Sequence, residues 1–385
     1  MQYFNMTLMS PEALHHRLRG HVARRTTDLR TESWQEPVNN YLDEMRFSAE
    51  QQFLRGAPTP FCPSAALAEA GAALPRSSVG IPLVAVRGAD GQVSTFKNVC
   101  RHRGASVIRQ PACAKALVCG YHGWTYRLDG SLAGIPSAEG FPEVAPDGFG
   151  LVPVRSTERY GMVFVNQGGA AKPHTTIEAI DGLITTDHRL VSHTDNVISA
   201  NWKLVVETFL EGYHIRALHH STFFPLQYDN INVVENFGPN SRISFPYRSI
   251  EKSTQPDVTP HALAGQATLV HHLFPNVMIA TFPTKILMIV IEPTTIDTTT
   301  LHTFALERPD QTTTDLTTSR TESAGALVDA GAAEDFEIAE SIQVGLTSGS
   351  NNSHHFGRFE GAITHFHREL TTRLAAMADP SEPQP

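Results

Sequence analysis

The chain has 385 residues, 41% of them hydrophobic and 18% charged, and a formal net charge of −9. That composition suits a globular protein with a full core and length enough for two domains, and the acidic balance excludes the basic footprint of a nucleic-acid binder. No long apolar run predicts a membrane span, and four cysteines do not make a disulfide framework.

The N-terminal MQYFNMTLMSPEALHHRLRG lacks the basic-then-apolar order of a secretory signal. The basic residues that follow (His15, His16, Arg17, Arg19, Arg24, Arg25) read as a solvated helix face rather than a targeting segment. A reducing cytoplasm is the expected compartment. Residues 1–48 read as a helical segment packing on the second domain, and 50–80 as loops with short elements. From about residue 80 the pattern turns to short strands. IPLVAV, the turn at Gly88–Gly91 and VSTFKNV predict a hairpin, and LVCGYH, WTYRL and YGMVFVN continue the β-rich run. The first domain is therefore placed at 49–168, with Gly168 to Pro173 as a linker and a second domain over 174–385.

In the second domain NWKLVVETFLEGYHIRALHH (201–220) predicts a helix. NINVVENF, SRISFPYRSI, NVMIATF, ILMIVIEPTT and TLHTFALER predict strands, and the Thr-rich stretch 294–322 reads as strands and turns. Helices are predicted over about 322–347 and 358–377, with a frayed tail. Strands followed by terminal helices give an α+β fold class.

Two ligand pairs stand out in the first domain: Cys100-x-His102 and Cys119-x-x-His122. Thiolates with imidazoles suit a structural zinc ion or an iron–sulfur cluster. Gly104, Gly120 and Gly123 permit tight loops around sulfur. Tyr121, Trp124 and Tyr126 can shield such a centre and tune its potential. Cys62 and Cys113 lack neighbouring histidines and read as small core or loop residues. CRHRG…CGYHGWTY resembles the ligand loops of a Rieske [2Fe–2S] domain. The resemblance implies Cys100 and Cys119 on one iron and His102 and His122 on the other.

In the second domain Glu207, Glu211 and His214 fall on one face of the predicted helix. His219 lies about 140° further round, so that helix must distort or end near 215–218 if both imidazoles share a metal. Histidines at a helix end also serve as caps or surface groups, and Glu207 also reads as a solvated charge. In EDFEIAESIQVGL, Asp335 shares a face with Ile338, Ala339, Ile342 and Leu346. An acid in line with an apolar stripe needs a partner; a favourable helix N-terminus is the alternative reading. Two histidines and a carboxylate make the facial triad of non-haem Fe(II) oxygenases.

Over most of its length the chain is similar to the catalytic α subunits of Rieske non-haem iron oxygenases. The matching residues are Asn201-Trp202-Lys203, Glu211, His214, His219, Glu334-Asp335 and Gln343-x-Gly345. The resemblance implies a β-rich Rieske domain beside a helix-grip domain, an antiparallel sheet around a long helix. It implies a mononuclear Fe(II) on His214, His219 and Asp335, with Glu211 and Asn201 taking part in catalysis. Glu211 stands where an aspartate is usual; in the family this acid bridges a cluster histidine of one subunit to an iron histidine of the next. Members acting on quaternary ammonium substrates resemble this chain in carrying glutamate there. The implied function is an O₂-dependent oxygenase acting on a small organic molecule, in a homotrimer. Electrons come from NAD(P)H through a separate reductase or ferredoxin, since no plausible G-x-G-x-x-G unit is present. An electron carrier with the cluster alone and a zinc-stabilised binding module are the competing readings. Phe223, Phe224, Phe274, Phe282 and Met288 read as pocket lining or as ordinary core.

Overall fold

The computed structural model describes residues 7–168, 175–252, 258–307 and 318–378, with side chains from residue 327 onward in the last segment. Most of the expected linker, residues 308–317 of the Thr-rich stretch and the C-terminal tail lie outside the described residues; the end of that stretch, 318–322, is the start of a helix and not the expected strand or turn. The chain divides into two compact units, one of Met1–Phe53, Thr175–Ala179 and Val191–Pro385, the other of Leu54–His174 and Ile180–Leu190.

Helix α1 (Pro11–Arg24) opens the larger unit. Ser10 caps it, its hydroxyl accepting from the amide of Ala13, and Pro11 supplies a pre-set first turn. Leu14, Leu18 and Val22 bury its apolar face against Ile231, Val233 and Leu263. His16, Arg17, Arg19, Arg24 and Arg25 face solvent as expected, whereas His15 is buried. Strand β1 (Trp34–Pro37), helix α2 (Asn39–Leu42) and helix α3 (Glu44–Gly56) follow.

The smaller unit holds β2 (Thr59–Pro63), β3 (Ala72–Ser78), β4 (Ile81–Arg87), β5 (Val93–Lys97), β6 (Ala112–Cys113), β7 (Leu117–Val118), β8 (Thr125–Tyr126), β9 (Leu132–Gly134), β10 (Pro153–Arg159) and β11 (Met162–Asn166). Seven of them form a sheet in the order β2-β11-β10-β5-β4-β3-β6, and β7-β8-β9 form a second, three-stranded sheet. The expected hairpin is β4–β5. Leu83 to Val86 are fully buried, which is why that strand reads as an unbroken apolar run. The two short strands around Cys119, β7 and β8, are shorter than LVCGYH and WTYRL suggested, because the residues between them turn instead of pairing.

The larger unit continues with β12 (Arg189–Ile198), α4 (Trp202–Thr208), β13 (Val233–Phe237), β14 (Asn240–Pro246), α5 (Pro260–Ala264), β15 (Ala267–Leu273), β16 (Val277–Thr281), β17 (Lys285–Thr295), β18 (Thr298–Glu307), α6 (Thr318–Leu346), β19 (Ser353–Phe356) and α7 (Gly361–Ala378). An antiparallel sheet runs β12-β18-β17-β16-β15-β14-β13, and β1 pairs with β19. Helix α4 packs on α6, β17 and β18, while α7 packs on β13 and β14. The α+β expectation is met. Strands β12 and β15 went unpredicted, β15 because ATLVHHL is buried on both faces and shows no alternation.

The expected helix over 201–220 is a single core helix of seven residues. Trp202 to Glu207 are all buried, so α4 is enclosed on every side rather than amphipathic. It ends at Thr208, whose hydroxyl bonds back to the Val205 carbonyl while the amide of Leu210 tightens onto Glu207. The chain from Phe209 to Leu226 is a series of turns. Buried Glu50 ties α3 to α4, accepting from the Trp202 indole at 2.9 Å and from Lys203 Nζ at 2.8 Å. No described helix is long and apolar enough to cross a membrane.

Candidate functional site

Cys100, His102, Cys119 and His122 lie on two turns of the same build. The Cys100 amide donates to the Ala105 carbonyl and the Gly104 amide to the Cys100 carbonyl; the Cys119 amide donates to Trp124 and the Gly123 amide to Cys119. Gly104 and Gly123 both have positive φ, +78° and +72°, which other residues adopt only with strain. Each turn keeps its thiol inside and carries its imidazole outward: Cys100 and Cys119 are buried, His102 is half-buried and His122 exposed.

The two imidazoles meet edge to face with centroids 4.6 Å apart, and His102 stacks on Trp124 at 5.1 Å. Partial burial, His122 and Arg103 hold the His102 pKa down, which favours the neutral, metal-binding form. Tyr126 is buried, and burial together with its bond to Cys100 raises its pKa. Its oxygen accepts from the Arg101 amide at 2.9 Å and lies 3.3 Å from Cys100 Sγ, where its proton would donate to a thiolate. Among the described residues, the groups of three donors within 4.8 Å of one another are His214–His219–Asp335 and His193–Asp195–His302. The cysteine–histidine set is not one of them. A single tetrahedral zinc needs tighter convergence, while a two-iron cluster holds the thiol pair apart from the imidazole pair. Cys62 is buried with its thiol pushed up to about 12 by burial, and Cys113 is exposed on β6.

In the larger unit, the turns after α4 and the middle of α6 bring together the second set. Glu211 Oε1 takes the Nδ1 side of His214, and Glu211 Oε2 accepts from the amides of Tyr213 and His214. Glu334 Oε2 takes the Nδ1 side of His219 at 2.7 Å and accepts from the Thr222 hydroxyl at 2.7 Å. Both histidines then point Nε2 at one atom, Asp335 Oδ1, at 3.5 Å and 3.1 Å. That oxygen is buried and has no hydrogen-bond partner. An unbonded buried carboxylate oxygen facing two oriented imidazoles fits a divalent cation. Burial opposes charge on His214, but Glu211 and Asp335 outweigh it and raise its pKa to about 9.

The helical-face argument for Glu207, Glu211 and His214 is corrected here, since α4 ends before Glu211 and the turn, not the helix, brings Glu211 onto His214. Asn201 caps α4. Its side chain accepts from Lys203 and donates to the carbonyls of Tyr41 and Ile296, and its amide donates to Gln343. It is fully buried, so a catalytic part for Asn201 gives way to a capping one. The Asp335 stripe is split as well: Ala339 and Leu346 are buried, but Ile338 and Ile342 are exposed. Phe274 and Met288 are core, and Phe223 lies edge-on against His219.

A cavity of about 930 Å³ reaches His214 and Asp335. Glu207, Glu211 and Glu360 also line it, and no lysine or arginine does among its described lining residues. Burial and the neighbouring Glu211 and Glu207 raise the Glu360 pKa to about 7. Glu207, read alternatively as a solvated charge, is instead buried against the Tyr41 hydroxyl and His367. Sequence reasoning missed Glu334 as the partner of His219; its one signal was its place beside Asp335. Glu360 carried no signal.

Two family models match the chain. A model described as the ring hydroxylating alpha subunit (catalytic domain) matches residues 180–376, and a Rieske [2Fe-2S] domain model matches residues 57–146. The carnitine monooxygenase oxygenase subunit of Escherichia coli (strain K12) is 30% identical over 369 residues, covering 88% of this chain and 93% of that protein. The glycine betaine monooxygenase oxygenase subunit of Chromohalobacter salexigens is 40% identical over 152 residues, 36% of this chain and 32% of that protein. Among solved structures, the quaternary ammonium Rieske monooxygenase CntA in complex with L-carnitine superposes with a TM-score of 0.74 at 21% identity, covering 95% of this chain and 99% of that one. Naphthalene 1,2-dioxygenase from Rhodococcus sp. bound to indole does so with 0.72 at 16% identity, covering 97% and 99%. At those identities the structural likeness speaks for the fold.

Proposed function

We propose, from the premise that this chain belongs to the ring-hydroxylating α-subunit family of Rieske oxygenases, that it oxygenates a quaternary ammonium compound at a centre built from His214, His219 and Asp335. The oxygenase class follows from the family, and with it a Rieske [2Fe–2S] cluster, a mononuclear ferrous ion and a separate reductase. A lone electron carrier or a zinc module leaves the match over 180–376 without a role. In our reading Cys100 and Cys119 hold one cluster iron, and His102 and His122 hold the other.

One observation carries the mononuclear site: the buried, unbonded Asp335 Oδ1 with an Nε2 of each histidine aimed at it. When bound, the cluster supplies single electrons and the ferrous ion activates O₂. The protein's own part is orientation. Glu211 and Glu334 keep a proton on Nδ1 of each imidazole, so both lone pairs face inward.

We read the assembly as a homotrimer in which the cluster turn of one subunit faces Glu211 of the next. Three features support this. The exposed His122 stands among Arg101 and Arg103. The cavity at Glu211 is acidic. Exposed Ile338, Ile342 and Tyr213 give the surface near it an apolar component. The quaternary ammonium substrate is supported by the relatives named for carnitine and glycine betaine. A reducing cytoplasm suits four free cysteines.

The test is O₂ uptake against product with a surrogate reductase and three probes: L-carnitine, glycine betaine and naphthalene. Product from a trimethylammonium probe is expected. His214→Ala should keep the cluster's electron paramagnetic resonance (EPR) signal and lose product. Product from naphthalene alone would refute the substrate reading and leave the oxygenase class standing.

A further inference from the structure

We propose that His193, Asp195 and His302 form a second divalent-metal site, suited to an ion of the zinc class, on the sheet of the larger unit. None of the three takes part in either centre described above. His193 and Asp195 are two residues apart on β12, so their side chains share a face of that strand. His302 lies on β18, the neighbouring strand in the sheet. The three meet at one oxygen: Asp195 Oδ1 is 3.0 Å from His193 Nε2 and 2.7 Å from His302 Nδ1.

The three donor atoms lie within 4.8 Å of one another, a convergence found at one other place among the described residues, the candidate iron centre. Zinc bonds of about 2.0–2.2 Å at tetrahedral angles set ligand atoms roughly 3.3 Å apart. The two distances from Asp195 Oδ1 therefore need to open by only about 0.3–0.6 Å to admit the ion. The scaffold is preformed. The His193 ring is stacked flat on Phe304, with centroids 4.3 Å apart and planes 5° from parallel. Phe304 is fully buried, and His302 is nearly so. Asp195 is half-exposed, which leaves the ion a path from solvent and room for water as a further ligand.

Two imidazoles and a carboxylate are borderline donors that zinc shares with ferrous iron. What separates the sites is the partner of each imidazole. At the candidate iron centre a carboxylate other than Asp335 grips each Nδ1. At the strand site Asp195 itself is the carboxylate on both rings. The bound ion would join β12 to β18 across 107 residues of chain, acting as a structural clip.

The test uses the full-length holoprotein with cluster and ferrous ion in place. It is dialysed anaerobically against zinc chloride, and zinc and iron are counted per chain by elemental analysis. About one zinc per chain, with iron unchanged, is expected for the wild type. Asp195→Asn changes a half-exposed side chain with little risk to folding, and His302→Gln changes the buried donor; both should lose that zinc and keep the iron and the cluster's EPR signal. His214→Ala should keep the zinc. Equal zinc in wild type and Asp195→Asn, or zinc lost from His214→Ala instead, would overturn the proposal.

Discussion

Glu334→Gln tests the architecture of the proposed iron centre most directly, because it changes one atom type on a group outside the proposed ligand set. Glu334 Oε2 is 2.7 Å from His219 Nδ1, and His219 is only 1% exposed, so no water stands in for a lost partner. A hydrogen bond to a charged acceptor contributes about 1.5–3 kcal/mol and one to a neutral acceptor about 0.5–1.5. The amide keeps the bond and loses the charge, a difference of about 1–1.5 kcal/mol. At about 1.4 kcal/mol per decade, ferrous affinity falls roughly tenfold, at the low end of the tenfold to hundredfold range for partners behind metal ligands. Glu334→Ala goes further, leaving a buried N–H unpaired at a further cost of about 1–3 kcal/mol. Competition with a ferrous chelator under anaerobic conditions gives both dissociation constants, and the cluster's EPR signal should not change. An affinity within twofold of wild type for Glu334→Gln, or no further loss in Glu334→Ala, would refute the role given to this pair.

Tyr126→Phe removes the phenol proton directed at Cys100 Sγ. A differential stabilisation of the reduced cluster by about 1 kcal/mol corresponds to roughly 40 mV for one electron, so voltammetry should show the potential falling by that order; an unchanged potential tells against the bond. Gly331→Ala would set its Cβ 2.4 Å from the Phe223 ring, which lies against His219. The overpacking costs about 1–3 kcal/mol, more than the ~1 kcal/mol helix preference for Ala returns, and thermal melts should show a lower midpoint together with weaker iron binding. Burial depresses His271 to about 3 and His272 and His365 to about 4. A folded pKa below the unfolded value of about 6.5 gives stability that is present above pH 6.5 and lost as pH falls toward the folded values. By pH 5 each costs about 2 kcal/mol and the three about 6, comparable to a whole domain's stability of about 5–15 kcal/mol. Denaturant melts between pH 7.5 and 5 should show a steep decline, shallower in His365→Gln; a flat profile would refute it. Glu50→Ala strands the fully buried Lys203 ammonium and should cost about 3–5 kcal/mol.

The parts of the site legible in the sequence are those whose chemistry is local. Cys100 with His102, and Cys119 with His122, are each set by one turn whose glycine stands four residues after the cysteine, so spacing alone describes them. The strands were legible where one face is solvated or a turn residue marks the end, as in β4–β5. Of the missed strands, β15 is buried along its whole length and shows no alternation, whereas β12 is mostly exposed and carries too few apolar residues to mark it. The helix over 201–220 was overdrawn for a physical reason. NWKLVVET has the apolar density of a helix, and periodicity does not register that a fully enclosed helix has no solvent face to continue along. The pairings made by the fold were not legible: 115 residues separate His219 from Glu334, and 107 separate Asp195 from His302.

These two kinds of legibility divide the centre's work. The proposed ligands His214 and His219 come from one stretch, five residues apart, and turns alone bring them together. What aims His219 is distant in sequence. Adjacent residues of α6 do two jobs: Asp335 stands between the two Nε2 atoms, and Glu334 grips the far side of His219. Neighbours on a helix point about 100° apart, and here they reach the two ring nitrogens of the same imidazole. His219 is nearly without exposure and lies edge-on to Phe223. Glu211 performs the same service for His214 from within its own turn, on the side lining the acidic cavity. One imidazole is thus fixed from the core and the other from the cavity wall, and a change at the cavity wall reaches His214 through its hydrogen bond to Glu211, while His219 is held by Glu334.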